Sequence, residues 1–349
     1  MTSIREIAKS LELSASTVSR ALNNSEAISA STRERVFQAA REVGYKGAVG
    51  KRPVSTIGLI SQIDDPNAFG GFVSVVVAGA MRAAQEENCD VAFVNGLDEK
   101  HQSERYAQFL RRKGVGGALL LGRSAPRIAE ELAADRFPHL IVANRSDEPS
   151  VSFIKCDSRE SSRAAVEHLI SLGHRRIGVG LHAVPTPDHI DRLEGYRDAL
   201  RAHSIPDDEM LVVRAMAHDQ AAGVGMLEDL LRLEDPPSAI FFTNPLTTVG
   251  ALLRCAQLSI RVPHELSIVG FDDSSVRYST FPVFTAVCQD AERLTSDGMR
   301  WLLRAIHEGL DAPLRETRET TLSLGESTIR VPSERVSFTK GGQVVRIRP

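Results

Sequence analysis

The sequence predicts an α/β protein: a helical head of helix-turn-helix type, then a body of two doubly wound parallel-sheet lobes. Three observations carry this. Three capped helical patterns fill the first fifty residues, and beyond Pro53 short apolar runs alternate with segments of helical period. Charge also divides between the two parts. Residues 1 to 52 hold nine Lys/Arg against five Glu, a net of +4, whereas the 349-residue chain is −3, which leaves −7 for the rest. A basic head on an acidic body is expected where one domain meets a polyanion and the other does not.

The head reads as three short helices. Ser3 and Glu6 make a capping box for the first, in which Ile4, Ile7, Ala8 and Leu11 recur at helical spacing. Ser14 is placed to cap the second. There Val18, Ala21 and Leu22 turn inward, leaving Ala15, Ser16, Ser19 and Arg20 on the outward face, the positions that enter a major groove in a helix-turn-helix. Ser31 and Glu34 predict the cap of a third helix through Val36, Ala39, Ala40 and Val43, with Gly44 as its stop. The bland alternative is a helical cap packed on a larger domain; the charge division favours the DNA reading. The expected domains are 1–46 for the head, 47–55 for a linker, 56–332 for the core and 333–349 for a tail.

In the body, strands are predicted at 56–60, 91–94, 118–121, 140–143, 177–179, 211–213, 239–242 and 267–270. Helices are predicted at 72–87, 102–112, 159–172, 191–202, 220–231, 246–257 and 291–308. So many alternating units imply two sheets, each covered by helices on both faces, with a ligand held at the C-terminal strand ends. One lobe is expected over about 56–155 and 289–324, the other over about 156–288 and 325–332.

At 42% hydrophobic the chain can fill a core in each lobe. It has neither a charged n-region with an apolar h-region nor an apolar run long enough to span a bilayer, so a cytoplasmic protein is expected. Cys89, Cys156, Cys255 and Cys288 lack metal-site or disulfide spacing. No cofactor, no metal and no catalytic residue is expected. Gly178-Val179-Gly180 lacks the third glycine and acidic partner of a dinucleotide site, and His168, His174, His182 and His189 read as structural. The alternatives weighed are a cytoplasmic α/β enzyme acting on a sugar or nucleotide with an accessory helical domain, and a transport-type binding protein.

Several ordered motifs resemble the lactose-repressor and galactose-repressor (LacI/GalR) family of bacterial transcription regulators over nearly the full length. They are Ile4-Arg5-Glu6-Ile7-Ala8, Leu13 to Asn23, Thr32 to Val36 with Gly44-Tyr45, Glu167 to Ile177, Arg192 to Tyr196, Val262-Pro263, Ser267 to Asp273 and Glu326-Ser327-Thr328. The resemblance implies a homodimer, or a tetramer, whose heads read a pseudo-palindromic operator, and a periplasmic-binding-protein-like core that binds a sugar or sugar derivative. It places base reading on Ala15, Ser16 and Arg20, of which Arg20 alone can bond bidentately to guanine. Ser14, Thr17 and Asn23 suit phosphates, Thr17 equally well helix packing, and Ser19 shares the outward face. For the effector the resemblance implies Arg192, Asn244 and Asp272; Arg145 is a weaker candidate, and Phe69 and Phe72 suit either a sugar face or the core.

Three departures from the family pattern stand out. Asn244 precedes Pro245 where an acidic residue is common, removing a carboxylate and a backbone donor. Between Tyr45 and Thr56 the usual leucine-bearing hinge helix is replaced by a short stretch with two glycines and a proline. A flexible basic linker is expected, with Lys46, Lys51 and Arg52 on phosphates and no wedge in the minor groove. At the end, Val336-Ser337-Phe338 and Val344 to Ile347 flank Lys340-Gly341-Gly342, so the tail is either a hairpin or disordered.

Overall fold

The structure is a computed structural model and describes residues 4–22, 27–43, 56–61, 72–94, 100–101, 103–271, 275–310, 312–339 and 341–347. It falls into two compact units, residues 1–55 and 56–349.

In the first unit α1 (Ile4–Ser10), α2 (Ala15–Leu22) and α3 (Ala30–Glu42) close on Ile7, Ala8, Val18, Leu22, Val36 and Ala40. Apolar residues three and four apart form one stripe on each helix, and three stripes make the smallest core that hides them all. Ser14 caps α2, its Oγ accepting the Thr17 N–H at 3.0 Å. At α3 the expected cap is corrected: Ser29, not Ser31, accepts the Thr32 N–H, at 3.2 Å, and the helix starts earlier. Both serines satisfy the local rule for an N-cap, so sequence spacing cannot choose between them. Ser3, Gly44 and the linker 47–55 lie outside the described residues.

The second unit holds two six-stranded sheets. The first has the order β11-β5-β4-β3-β1-β2, all parallel, from β1 (Thr56–Ser61), β2 (Asp90–Phe93), β3 (Gly117–Leu121), β4 (His139–Val142), β5 (Phe153–Cys156) and β11 (Arg315–Arg318). The second has the order β12-β10-β9-β8-β6-β7, from β6 (Ile177–His182), β7 (Val212–Ala215), β8 (Ala239–Phe242), β9 (Ser267–Phe271), β10 (Thr285–Cys288) and β12 (Thr321–Ser323). Only β12 runs antiparallel, along β10. That pairing corrects the expected lobe boundary at 324, because residues 321–323 already belong to the second sheet. The chain passes between lobes after β5, after β10 and after β11.

Parallel sheets bury both faces, and β8 shows how its sequence achieves this. Phe242 and Ile240 point into a core with α9 (Gln220–Leu231) and α10 (Pro245–Gln257), while Phe241 and Ala239 point into another with α7 (Ser158–Ser171) and α8 (Pro187–Ala202). Helices α4 (Phe72–Glu86), α5 (Tyr106–Arg112), α6 (Ala125–Ala134) and α11 (Ala291–Glu308) belong to the first lobe. The elements predicted from the sequence did not include α6, β5, β10, β11 or β12. The edge strand β11 reads Arg-Glu-Thr-Arg, with no apolar period, because the sheet recruits its backbone rather than its side chains.

Two distant motifs meet inside the second lobe. His174 is fully buried; its Nδ1 lies 2.8 Å from Ser238 Oγ and its Nε2 3.1 Å from Ser267 Oγ and 3.0 Å from the Ile329 carbonyl. His168 Nε2 lies 3.0 Å from Thr328 Oγ1, and Ser327 Oγ accepts the Thr285 N–H at 2.9 Å. These imidazoles are structural, sewing the returning chain onto the sheet.

The tail forms an antiparallel hairpin of β13 (Arg335–Phe338) and β14 (Val344–Ile347), with Val336 and Phe338 in the core beside α9. Glu265, 2% exposed, binds Arg346 and lies 3.1 Å from Arg261 Nη2. Burial pushes its carboxyl up, but the hydrogen bonds from Arg346 and Arg261 outweigh this and hold it at about 2. Its folded value is thus below the ordinary 4.5, so the stabilisation is complete above pH 4.5 and disappears as pH falls toward 2. Hydrogen exchange of residues 335–347 is expected to accelerate over that window, and Arg346→Ala to accelerate it at neutral pH; a tail equally protected in that variant would contradict the pinning.

Candidate functional site

The outward face of α2 follows from its inward one. With Val18, Ala21 and Leu22 buried, Ala15, Ser16 and Arg20 are exposed and Ser19 is half-buried. The Ser14 hydroxyl lies 2.8 Å from Ser16 Oγ and 2.7 Å from Thr17 Oγ1, so the three form one hydroxyl cluster at the start of the helix. Unpaired helix-start N–H groups and hydroxyls suit a phosphate, while the last-turn Arg20 is long enough to reach a base edge. Thr17 is half-buried, which fits either role proposed for it. Asn23, Lys46, Lys51 and Arg52 lie outside the described residues.

In the body, the polar residues with chemistry collect at C-terminal strand ends, where doubly wound folds hold ligands. Arg145 follows β4, Lys155 lies in β5, His182 ends β6, His218 follows β7 and Asn244 follows β8. Helix α8 adds Asp188, His189, Asp191 and Arg192. Pro187 at its first position and Thr186, whose Oγ1 accepts the His189 N–H at 3.3 Å, start it four residues before the apolar pattern does. This early start brings the acidic and imidazole side chains to the sheet end.

Charges in this region are compensated. Asp191, on α8 of the second lobe, takes Arg145 Nη1 at 2.5 Å and Lys155 Nζ at 3.2 Å, both from the first lobe. Lys155 is only 9% exposed, so Asp191 is the partner that makes its burial tolerable. Arg192 lies 2.6 Å from Asp188, donates to the Thr243 carbonyl, and stacks 4.1 Å from the Phe271 ring centroid. Its Nε is buried with no partner among the described residues.

Of the predicted effector residues, the structure brings Arg192, Asn244 and Arg145 to these strand ends. Asn244 has a second occupation: its Oδ1 accepts the N–H groups of Leu246 at 2.9 Å and Thr247 at 3.3 Å, capping α10. Its Nδ2 lies 3.0 Å from His218 Nδ1. Phe72 is half-buried at the first turn of α4; Phe69 and Asp272 lie outside the described residues.

Lys155, Asp188, Asp191 and His218 were missed by sequence reasoning. The available signal was position, each lying at or just after a strand end or in the first two turns of a helix that follows one. Burial pushes His189 down to about 4, helped by Arg192, and burial with the neighbouring imidazoles and Arg192 pushes His218 down to about 3. At neutral pH both rings are therefore uncharged.

Comparison with known proteins agrees with the division into a head and a two-lobed body. The family model "Bacterial regulatory proteins, lacI family" matches residues 3–47, and "Periplasmic binding protein-like domain" matches residues 166–328. The chain is 30% identical over 309 residues to the transcriptional repressor CytR of Escherichia coli, covering 86% of this chain and 88% of that protein. It is 29% identical over 294 residues to the regulator AscG of the same species, covering 82% and 87%. A solved complex of the regulator CelR with cellobiose superposes with a TM-score of 0.70 at 29% identity, covering 94% of this chain and all of that one. The curated relatives are named transcription regulators or repressors, and among the described residues no helix is long and apolar enough to cross a membrane.

Proposed function

The chain belongs to the lacI family of bacterial regulatory proteins, and from that premise we propose a homodimeric repressor that reads a pseudo-palindromic operator through α2 and changes its grip when a sugar or sugar derivative binds at the strand ends of the body. The observation that carries the DNA half is the exposed face Ala15-Ser16-Arg20 on a helix whose other face is buried in its own core. The effector half is supported by the convergence of Arg145, Lys155, Asp188, Asp191 and Arg192 on one region where both lobes contribute. Directional donors and acceptors of this kind suit the hydroxyls of a sugar. The likeness to CelR, solved with cellobiose, points the same way.

The test is a melting-temperature screen of the full chain against sugars and sugar derivatives, followed by operator binding with each hit. A ligand at 100 times its dissociation constant stabilises the native state by about 2.7 kcal/mol. At least one compound is expected both to raise the melting temperature and to change operator affinity; a panel without any such compound overturns the effector reading. Asp191→Asn is expected to lower stability by about 2 kcal/mol, because it leaves the buried Lys155 ammonium without its counter-charge, and to abolish the response to the hit. An unchanged response would remove Asp191 from the effector site.

A further inference from the structure

His182, His189 and His218 each offer one ring nitrogen within 4.8 Å of the others, and we infer that they form a binding site for a divalent transition ion of the Zn2+ class. Among the described residues this is the one group of three or more His, Cys, Asp or Glu side chains so arranged. The three residues come from the end of β6, the first turn of α8 and the segment after β7, so no local sequence spacing announces them. All three are half-buried. The rings of His182 and His218 stack at 4.0 Å, with His189 at 5.2 and 5.4 Å from them.

The surroundings are those of imidazole ligands. His189 Nδ1 lies 3.1 Å from the Val184 carbonyl and His182 Nε2 lies 2.8 Å from the Met216 carbonyl. A ring that donates its proton to a carbonyl keeps a lone pair on its other nitrogen, and such outer-shell bonds orient ligating histidines; at His182 that nitrogen, Nδ1, accepts the Val184 N–H at 3.2 Å, a bond that an ion would replace. At His218 the Asn244 amide donates to Nδ1, since its Oδ1 is already taken by α10; an ion would replace that amide on the same lone pair. Arg192, on the same helix as His189, pairs with Asp188 at 2.6 Å. Zn–N bonds of about 2.0–2.1 Å require ring nitrogens about 3.3 Å apart, so ligation draws the rings together by side-chain rotation. Three protein nitrogens leave a coordination position for water or for an oxygen of a bound ligand.

The site does not depend on the regulatory reading, and its test uses the metal alone. The full chain, stripped with chelator and desalted, is titrated with Co2+ and then Zn2+. One Co2+ per chain with visible d–d bands, displaced by one Zn2+ that also raises the melting temperature, is the expected result. His189→Ala and His218→Gln are each expected to weaken binding at least about tenfold and to abolish the thermal shift, whereas His264→Ala, at an exposed histidine outside the cluster, leaves both intact. His218→Gln keeps a polar side chain of similar length, and circular dichroism checks that it folds. No bound Co2+, or undiminished binding in a folded His218→Gln, overturns the assignment.

Discussion

Arg20→Ala is expected to weaken operator binding by about 1–3 kcal/mol for each half-site and to relax base choice at one position of it. The residue stands at the last turn of α2 on an exposed face whose other occupants discriminate poorly. Ala15 presents only a methyl group, and Ser16, already within hydrogen-bond distance of Ser14, accepts or donates to any base. A guanidinium that makes two parallel bonds to guanine is the strongest single source of specificity available on this face. In a dimer the loss enters twice, and its proper measure is the affinity for the natural operator against one with the contacted pair exchanged. The wild type should separate the two duplexes and the variant should not. Equal weakening on both, with a shallower salt dependence, would assign Arg20 to a phosphate instead. Since Arg20 is exposed and lies outside the head's core, the melting temperature should stay within experimental error.

Gly223→Ala is expected to destabilise the body by about 3 kcal/mol, enough to lower its melting temperature by several degrees. Helices α9 and α10 cross so closely that a Cβ on Gly223 would meet the Thr247 carbonyl, and one on Gly250 would meet the Gln220 carbonyl. A backbone oxygen has no rotamer to move away with, so the helices must part, and with them the core that holds Phe242 and Ile240. The same helix supplies its control. Gly225 has open space where its Cβ would go, and Gly225→Ala should be neutral or stabilising by up to about 1 kcal/mol through its helix propensity. Thermal denaturation of the two variants separates close approach from propensity, and equal effects would mean that the helix crossing is not tight.

Much of the fold was legible because its signals are local. The three helical stripes of the head, the Ser14 cap and the alternation of β8 between two cores are each written within a dozen residues. What failed to show was whatever depended on partners far away. Strand β11 is polar throughout and exists because β5 offers an edge; the α3 cap moved to Ser29 because two serines fit the local rule. The hairpin at the chain end was balanced against disorder until Glu265, some eighty residues earlier, supplied the anchor for Arg346.

The site divides in the same way. Arg20 and its exposed neighbours follow from amphipathic spacing alone, since burying one face of a short helix dictates which residues the other presents. Arg145, Arg192 and Asn244 were found as residues after predicted strands, but their work was not: Asn244 caps a helix, and Arg145 reaches across to Asp191. The sequence by itself determined the two-part architecture, the outward face of α2 and the alternation of strands and helices in the body, because periodicity and capping are short-range. Only the tertiary structure decided which strand ends come together, that Asp191 of the second lobe binds two cations of the first, and that His182, His189 and His218 form one cluster. Those facts depend on side chains brought into contact across up to forty-six residues of chain by crossover connections, where spacing in the sequence carries no information about distance in space.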